Sequence, residues 1–340
     1  MPTFIEEATE RTLAYVGPYI DGQTPLIDTS ISEDALPGFE MKYVGKVRDM
    51  YICKNFVVLV ATDRQSAFDR QLAAIPWKGQ VLNLTSLWWF ERTKNIVPNH
   101  ILGSPHPNVT LCKKCKVFPI EFVMRGYLTG STSTSIWKNY EKGVRSYCGH
   151  NLSDGMTKNQ ILAKCLLTPT TKDDVHDELI SAADVVEKKY MSQEHWDKCA
   201  AYSHTLFAFG QEEAAKHGYI LVDTKYEFGL DAVTGEVMLV DEVHTPDSSR
   251  YWVRESYEER VASGQEPENV DKEVLRKWYA SQCDPYKDEF LPTAPLELVN
   301  ELSRRYIMLF ETLLGATFDF GRVSEASSLA DAVLEGVSAL

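Results

Sequence analysis

Apolar and polar residues alternate with a period of two through much of this chain, most clearly between Ile220 and Trp252. After Ile-Leu-Val, Asp223, Lys225 and Glu227 fall on one face and Val222, Tyr226 and Phe228 on the other, the pattern of a half-buried strand. Asp231 to Gly235 is turn material, and Glu236 to Val243 reads as the returning strand. With Leu230 facing Glu236, Lys225 stands opposite Asp241 and Glu227 lies one diagonal step away. A Ser-Ser-Arg loop follows at once.

The same reading extends over the chain. Met41 to Ile52 is strand–turn–strand with Gly45 at the bend, and Asn55 to Ala61 is a strongly apolar strand. Lys78 to Thr93 has helical spacing, with Val81, Leu84, Leu87, Trp88 and Phe90 as a core-facing stripe. Lys116 to Tyr127 is β-rich and exposes Arg125 at its end, and a helix from Ile136 to Glu141 follows a hydroxyl-rich run. Ala182 to His217 gives two helices closed by Gly218. Residues 1–20 suit a short amphipathic helix and Asp21 to Phe39 a loop. Val253 to Pro292 is acidic and helix-breaking in places, Leu296 to Leu314 is a long amphipathic helix, and Ser324 to Leu340 a terminal one.

Length and composition narrow the class. A chain of 340 residues has room for two lobes, and 44% hydrophobic with 25% charged residues is ordinary for a globular protein. A net charge of -14 argues against a nucleic-acid partner, which needs a basic footprint. No apolar run approaches the ~20 residues of a membrane helix. The acidic N-terminus has no signal core, so a cytoplasmic location is expected. Of seven cysteines, Cys112 and Cys115 have metal-knuckle spacing, but no second pair completes a zinc site, and reduced thiols are the reading.

Candidate chemistry gathers on the hairpin. Its plain reading is a solvated face with cross-strand ion pairs. Against that, Asp241 ends the apolar run Val237–Val240, and carboxylates on adjacent strands suit Mg²⁺, with a lysine alongside for phosphate. Lys46 and Arg48 flank the Gly45 bend as alternate cations. Thr62 to Asp69 places polar groups directly after a buried strand, where ligands are often met; Asp63 or Ser66 as a helix cap is the alternative. Arg125 with the hydroxyl run Leu128–Ser135 suits an anion, and Lys172 precedes the acidic cluster Asp173–Glu178.

The order of these features is more specific than any one of them. GKVRDMY (45–51), TDRQSAFD (62–69), KGQVLNLTSLWWF (78–90), PIEFVMRGYLTGS (119–131), TPTTKDDVHDE (168–178), VDTKYEFG (222–229) and VDEVHTPDSSRYW (240–252) follow in series. Together they closely resemble the phosphoribosylaminoimidazole-succinocarboxamide synthase (SAICAR synthetase) family over about residues 40–255. The resemblance implies ATP-dependent ligation of L-aspartate to the carboxylate of carboxyaminoimidazole ribonucleotide (CAIR), through an acyl phosphate, with ATP and Mg²⁺. It implies an α+β fold with two lobes, similar to ATP-grasp enzymes and protein kinases, with antiparallel sheets. Residues 1–117 would form a β-rich ATP-binding lobe, 118–257 an α+β lobe with the substrate and metal site, and 258–340 a helical segment packing on the core.

Site residues follow by motif. Lys46, Val47 and Arg48 would meet ATP phosphates; Lys172 and Lys225 would approach the phosphates or the reacting carboxylate; Glu227 and Asp241 would hold Mg²⁺. Arg125, Ser131 and Arg250 would grip the ribonucleotide 5′-phosphate. Asp63, Arg64, Ser66 and Asp177 would face the imidazole substrate or aspartate, with Asp63 counted as catalytic. The run Ser131–Ser135 is longer than in many members, which pass almost directly from this glycine into Trp-Lys. The chain departs from the animal members in ending without their fused carboxylase domain, so a monofunctional protein is expected, a monomer or small homo-oligomer with no membrane partner. A kinase would carry His-Arg-Asp and Asp-Phe-Gly motifs, which are absent, and a mere nucleotide sensor would have no need of Lys225, Glu227 and Asp241 together.

Overall fold

The computed structural model describes residues 17, 20, 23–68, 70–172, 178–270, 272–321 and 328–340. The expected helix over residues 1–20 and Asp177 therefore lie outside the described residues.

The first sheet is built from β1 (Phe39–Val44), β2 (Arg48–Cys53) and β3 (Phe56–Ala61). After the small hairpin β4 (Arg64–Ala67) and β5 (Arg70–Ala74) and helix α1 (Lys78–Thr93), β6 (Ile101–His106) and β7 (Val109–Lys113) complete it. Its order is β1-β2-β3-β7-β6, all antiparallel. The apolar run Phe56–Ala61 sits at its centre, where branched side chains fill a pleated surface on both sides.

β8 (Cys115–Val117) and β9 (Ile120–Tyr127) begin the second sheet, so it starts within the first lobe's expected bounds. Helix α2 (Ile136–Glu141), the strands β10 (Ser146–Tyr147) and β11 (His150–Asn151), β12 (Ile161–Leu167) and β13 (Thr170–Thr171) follow. Helices α3 (Ala182–Glu187) and α4 (Gln193–Lys216) then lead into β14 (Tyr219–Asp231), β15 (Val237–Val240) and β16 (Ser249–Val253). β14 is the spine: β9 and β16 pair with its first half, and β8 and β15 with its second. Ser181 and Ser192 cap α3 and α4 through their hydroxyls, and α4 closes with Gly218 at φ 79°.

The hairpin β14–β15 is offset by one residue from its expected register. Leu230 pairs with Val237 and Glu227 with Val240, because Asp231 rather than Leu230 faces Glu236. The Asp231 carboxylate accepts from the backbone N–H of Val233 (2.8 Å) and Thr234 (3.2 Å), which fixes a four-residue loop. Asp241 consequently lies beyond the ladder instead of opposite Lys225, in the left-handed region at φ 64°.

Between the sheets lies α1, enclosed on more than one stripe. Trp89 and Phe90 join the core formed by the second sheet and α4, while Val81 and Leu82 join the other side. Leu84, Leu87 and Trp88 are the half-buried positions, so the helix is sandwiched rather than laid on one surface.

Two helices interrupt the stretch read as helix-breaking, α5 (Arg254–Ala262) and α6 (Glu273–Gln282). They are followed by α7 (Leu296–Leu314) and α8 (Leu329–Ser338). Leu275, Tyr279, Leu302, Tyr306, Ile307 and Phe310 pack with Ile75, Val81 and Leu82, and Val333 and Val337 pack on the first sheet. Among the described residues no helix is long and apolar enough to cross a membrane.

Candidate active site

One face of the second sheet collects the charges. Alternation puts Asp223, Lys225 and Glu227 together on β14. β9 sets Arg125 opposite Asp223 and Val123 opposite Lys225, which brings Glu121 to the same face, and β16 sets Arg250 opposite Asp223. Two groups result, separated along β14.

At the first, Lys225 Nζ donates to Glu121 Oε1 (2.7 Å) and Glu227 Oε1 (2.9 Å), and Lys172 Nζ donates to the other Glu227 oxygen. Burial opposes the charges of Lys172, Lys225 and Glu227. For Lys225 it is outweighed by Glu121, Glu227 and Asp241, which hold the ammonium well above its usual range. For Glu227 it is outweighed by Lys225 and Lys172, which bring the carboxyl down to about 2. Asp241 behaves oppositely: burial, reinforced by Glu227 and Glu242, raises its pKa against the pull of Arg48. Arg48 crosses from the first sheet to reach Asp241 Oδ1 (3.0 Å) and Glu242 Oε2 (2.6 Å).

The four carboxylates Glu121, Glu227, Asp241 and Glu242 thus face the three cations Lys172, Lys225 and Arg48. One negative charge is left over, and it weighs on Asp241. Hard oxygen donors with surplus negative charge fit Mg²⁺, which needs only one or two carboxylates when phosphate and water supply the rest. Among the described residues no group of three His, Cys, Asp or Glu stands ready to enclose a metal alone.

At the second group, Asp223 lies between two arginines. Arg250 donates to its Oδ2, and Arg125 Nη1 is 3.6 Å from the same atom. Arg125 is buried rather than exposed as expected, its Nε donating to Thr168 Oγ1 (2.9 Å). Ser131 hydrogen-bonds Glu273 of α6, and Arg250 reaches that same carboxylate at 3.6 Å. Arg125, Ser131 and Arg250 are thereby brought together around Asp223 and Glu273. Of the hydroxyls that follow, Ser135 caps α2 and packs against Gly130, whose φ of 110° and lack of Cβ permit the approach.

Residues 64–67 form a strand instead of opening a helix, and Asp63 is 1% exposed with both oxygens committed. Oδ1 accepts from Gly79 N (2.8 Å) and Oδ2 from Leu26 N (2.8 Å), so Asp63 caps α1 from a distance, while Trp77, at the N-cap itself, contributes no side-chain bond. Arg64 braces the Gly45 turn, donating to Gly45 O (3.0 Å), Ile27 O (2.6 Å) and Asp49 (2.5 Å). Ser66 is buried within β4. None of the three joins the charge groups. Lys46 is exposed at the turn, and Val47 accepts from Thr62 through its carbonyl.

Behind the site, the loop from Asp241 to Ser248 is anchored by a third set of charges. The Asp247 side chain, nearly covered, receives Lys78 Nζ (3.2 Å), Gln65 Nε2 (3.2 Å) and Tyr306 Oη (3.2 Å), with Lys272 Nζ at 3.6 Å. Burial draws the Lys272 ammonium down to about 8 despite Asp247. Sequence reasoning missed Glu121, Asp223, Glu242, Asp247, Lys272 and Glu273 as site residues. Glu121 and Asp223 share the alternation of Arg125 and Lys225 and were within reach of it; Lys272, Glu273 and Tyr306 carry no local signal.

A face that sets lysines and arginines among carboxylates belongs to the class of sites suited to phosphoryl transfer, which asks a protein mainly for positioning and charge neutralisation. The family model described as SAICAR synthetase matches residues 41–292. A phosphoribosylaminoimidazole-succinocarboxamide synthase of Legionella pneumophila (strain Lens) is 58% identical over 288 residues, 85% of this chain and 92% of that protein. A chloroplastic one of Arabidopsis thaliana is 58% identical over 284 residues, covering 84% of this chain and 69% of that protein. The structure of the Saccharomyces cerevisiae SAICAR synthase complexed with SAICAR superposes with a TM-score of 0.72 at 31% identity, covering 86% of this chain and 99% of that one. The chain belongs to the SAICAR synthetase family. Its reaction is the ATP-dependent joining of L-aspartate to CAIR in purine biosynthesis.

Proposed function

We propose that the two charge groups on the β14 face divide the reaction between them. The observation that carries this reading is their placement: paired arginines at Asp223, and paired lysines with carboxylates at Glu227, on one strand four residues apart. Arg125 and Arg250, with Ser131, receive the ribonucleotide 5′-phosphate, since planar guanidiniums offer two parallel donors to it. CAIR then extends along the strand, and its carboxylate arrives beside Lys225 and Lys172.

A carboxylate is a poor electrophile, so the γ-phosphoryl group of ATP is first transferred to it, giving an acyl phosphate and ADP; the amine of aspartate then displaces phosphate. Lys225 and Lys172 neutralise the approaching oxygens and need no proton change to do so, because their neighbours keep them charged. Glu227 and Asp241 are the residues that would hold Mg²⁺, which when bound shields phosphate charge and aligns the transfer. Lys46 and the Val47 backbone cover ATP from the first sheet, where Arg48 is engaged with Asp241 and Glu242 until nucleotide arrives. Asp63, Arg64 and Ser66 support the site without touching substrate. Seven unpaired cysteines support a reducing, cytoplasmic setting.

The test is ADP release measured with CAIR and MgATP, with and without L-aspartate, on wild type and Asp241→Asn. Turnover requiring both substrates and yielding SAICAR, and a loss of roughly 100-fold or more in kcat for the variant, are expected. Asparagine tolerates the φ of 64° at this position, so the variant should fold. ADP release indifferent to aspartate would remove the ligase assignment, and a near-normal kcat in the variant would remove the metal assignment.

A further inference from the structure

The helical tail reaches further into the phosphate-binding group than packing requires. Glu273 opens α6 and is 4% exposed, although nothing apolar explains a carboxylate there. Its partners are the cations and hydroxyl around the Asp223 pair: Arg250 (3.6 Å), Arg276 (3.4 Å) and Ser131. Burial opposes the charge, yet Arg250 and Arg276 outweigh it and draw the carboxyl down to about 2. The Nε of Arg276 is buried and has no hydrogen-bond partner among the described residues. A buried guanidinium donor without an acceptor is costly in a native fold and calls for one.

We propose that Arg276 is a third arginine of the ribonucleotide 5′-phosphate site, and that Glu273 is a resident carboxylate which holds that site until the phosphate displaces it. The proposal rests on the assignment of Arg125, Ser131 and Arg250 to that phosphate. Charge balance supports the exchange. Arg125, Arg250 and Arg276 face Asp223 and Glu273, leaving one positive charge, whereas a phosphate monoester carries about two negative ones at neutral pH. With Glu273 in place the filled site is one charge too negative; with it turned away the site is neutral. Glu273 is the first residue of its helix, so its side chain can rotate outward without unwinding α6. The tail thereby tunes affinity for phosphorylated substrates specifically.

Steady-state kinetics on Glu273→Gln, Arg276→Ala, Arg276→Lys and Arg250→Ala test this, with inhibition by ribose 5-phosphate as a binding readout that involves no chemistry. Glu273→Gln should lower KM for CAIR and the ribose 5-phosphate inhibition constant, each several-fold, with KM for ATP unchanged. Arg276→Ala should raise both by roughly 10- to 100-fold, the effect of a charged hydrogen bond, with kcat largely kept. Arg276→Lys, which keeps charge but loses the planar fork, should fall between and carries the test if the alanine variant does not fold. A KM for CAIR that is unchanged or raised in Glu273→Gln, or an Arg276→Ala effect shared equally with ATP, would overturn the proposal. If Arg250→Ala also spares the KM for CAIR, the phosphate-site assignment itself fails; if Arg250→Ala raises it while the α6 variants are silent, only the role of α6 fails.

Discussion

Asp63, read from its motif as facing substrate, is engaged in the fold by backbone donors. A buried acid just past an apolar strand is common at active sites, but both of its oxygens here accept backbone N–H groups. Burial raises its pKa to about 6, against the pull of Gly79 and Leu26. The unfolded value is about 4, so the folded protein holds this proton more tightly. The group's contribution is therefore greatest below pH ~4 and is lost as pH rises through about 6. Urea titrations of wild type and Asp63→Asn from pH 4 to 7 should show the wild type's stability falling relative to the variant across that window. A wild-type stability that stays constant or rises relative to the variant across that window would refute the assignment. Catalysis should survive in Asp63→Asn wherever the variant is folded. The sequence does not reveal these bonds, because a motif names the residue and says nothing about which backbone donors approach it from Leu26 and Gly79.

At the scale of elements, legibility followed amphipathicity. Helix Leu296–Leu314 and the strand alternation of β14 were readable because each has a stripe or a face, whereas Lys78–Thr93, enclosed on more than one side, was readable from its run of apolar residues. α5 was not: it buries no residue, so no periodic signal exists to be read. The β14–β15 register shifted by one because an aspartate side chain, not the apolar pattern, determined the turn. The start of α1 offers a sharp test of element packing. A Cβ on Gly79 would meet Ala61 O at 2.3 Å and Asn108 Nδ2 at 2.5 Å, both inside the β3–α1 contact. Gly79→Ala should therefore destabilise by roughly 1–3 kcal/mol, the range for overpacking, despite alanine's better helix propensity. A thermal melt matching wild type would show that the contact yields without strain.

Across the whole molecule, the charge groups draw on both sheets and on the tail, which the motif series ending near residue 255 did not reveal. Lys272, Glu273 and Tyr306 meet Asp247 and Arg250 only after the chain has folded back through α6 and α7. Contacts that distant leave no periodicity or spacing behind. The helices α7 and α8 were legible from their apolar residues; α6 and the tail's contribution to the charge groups were not. A chain ending at Val253 would strip the partners of Ile75, Val81 and Leu82 and leave Asp247 without Lys272 and Tyr306. Calorimetry on that truncation should show no cooperative unfolding transition, and a melt within ~5 °C of wild type would mean the tail is dispensable to the fold.

β14 also constrains what this enzyme can become. Each pair of residues along a strand advances roughly 6.7 Å, so Asp223 and Glu227 stand roughly 13 Å apart on a yardstick that cannot stretch. Adding or deleting a single residue between them would turn everything beyond it to the opposite face of the sheet. The lineage is thus free to exchange side chains at either end of the yardstick but not to change its length. On the proposed division of the site, new substrates would have to keep the same span between phosphate and carboxylate, whatever ring or sugar lies between.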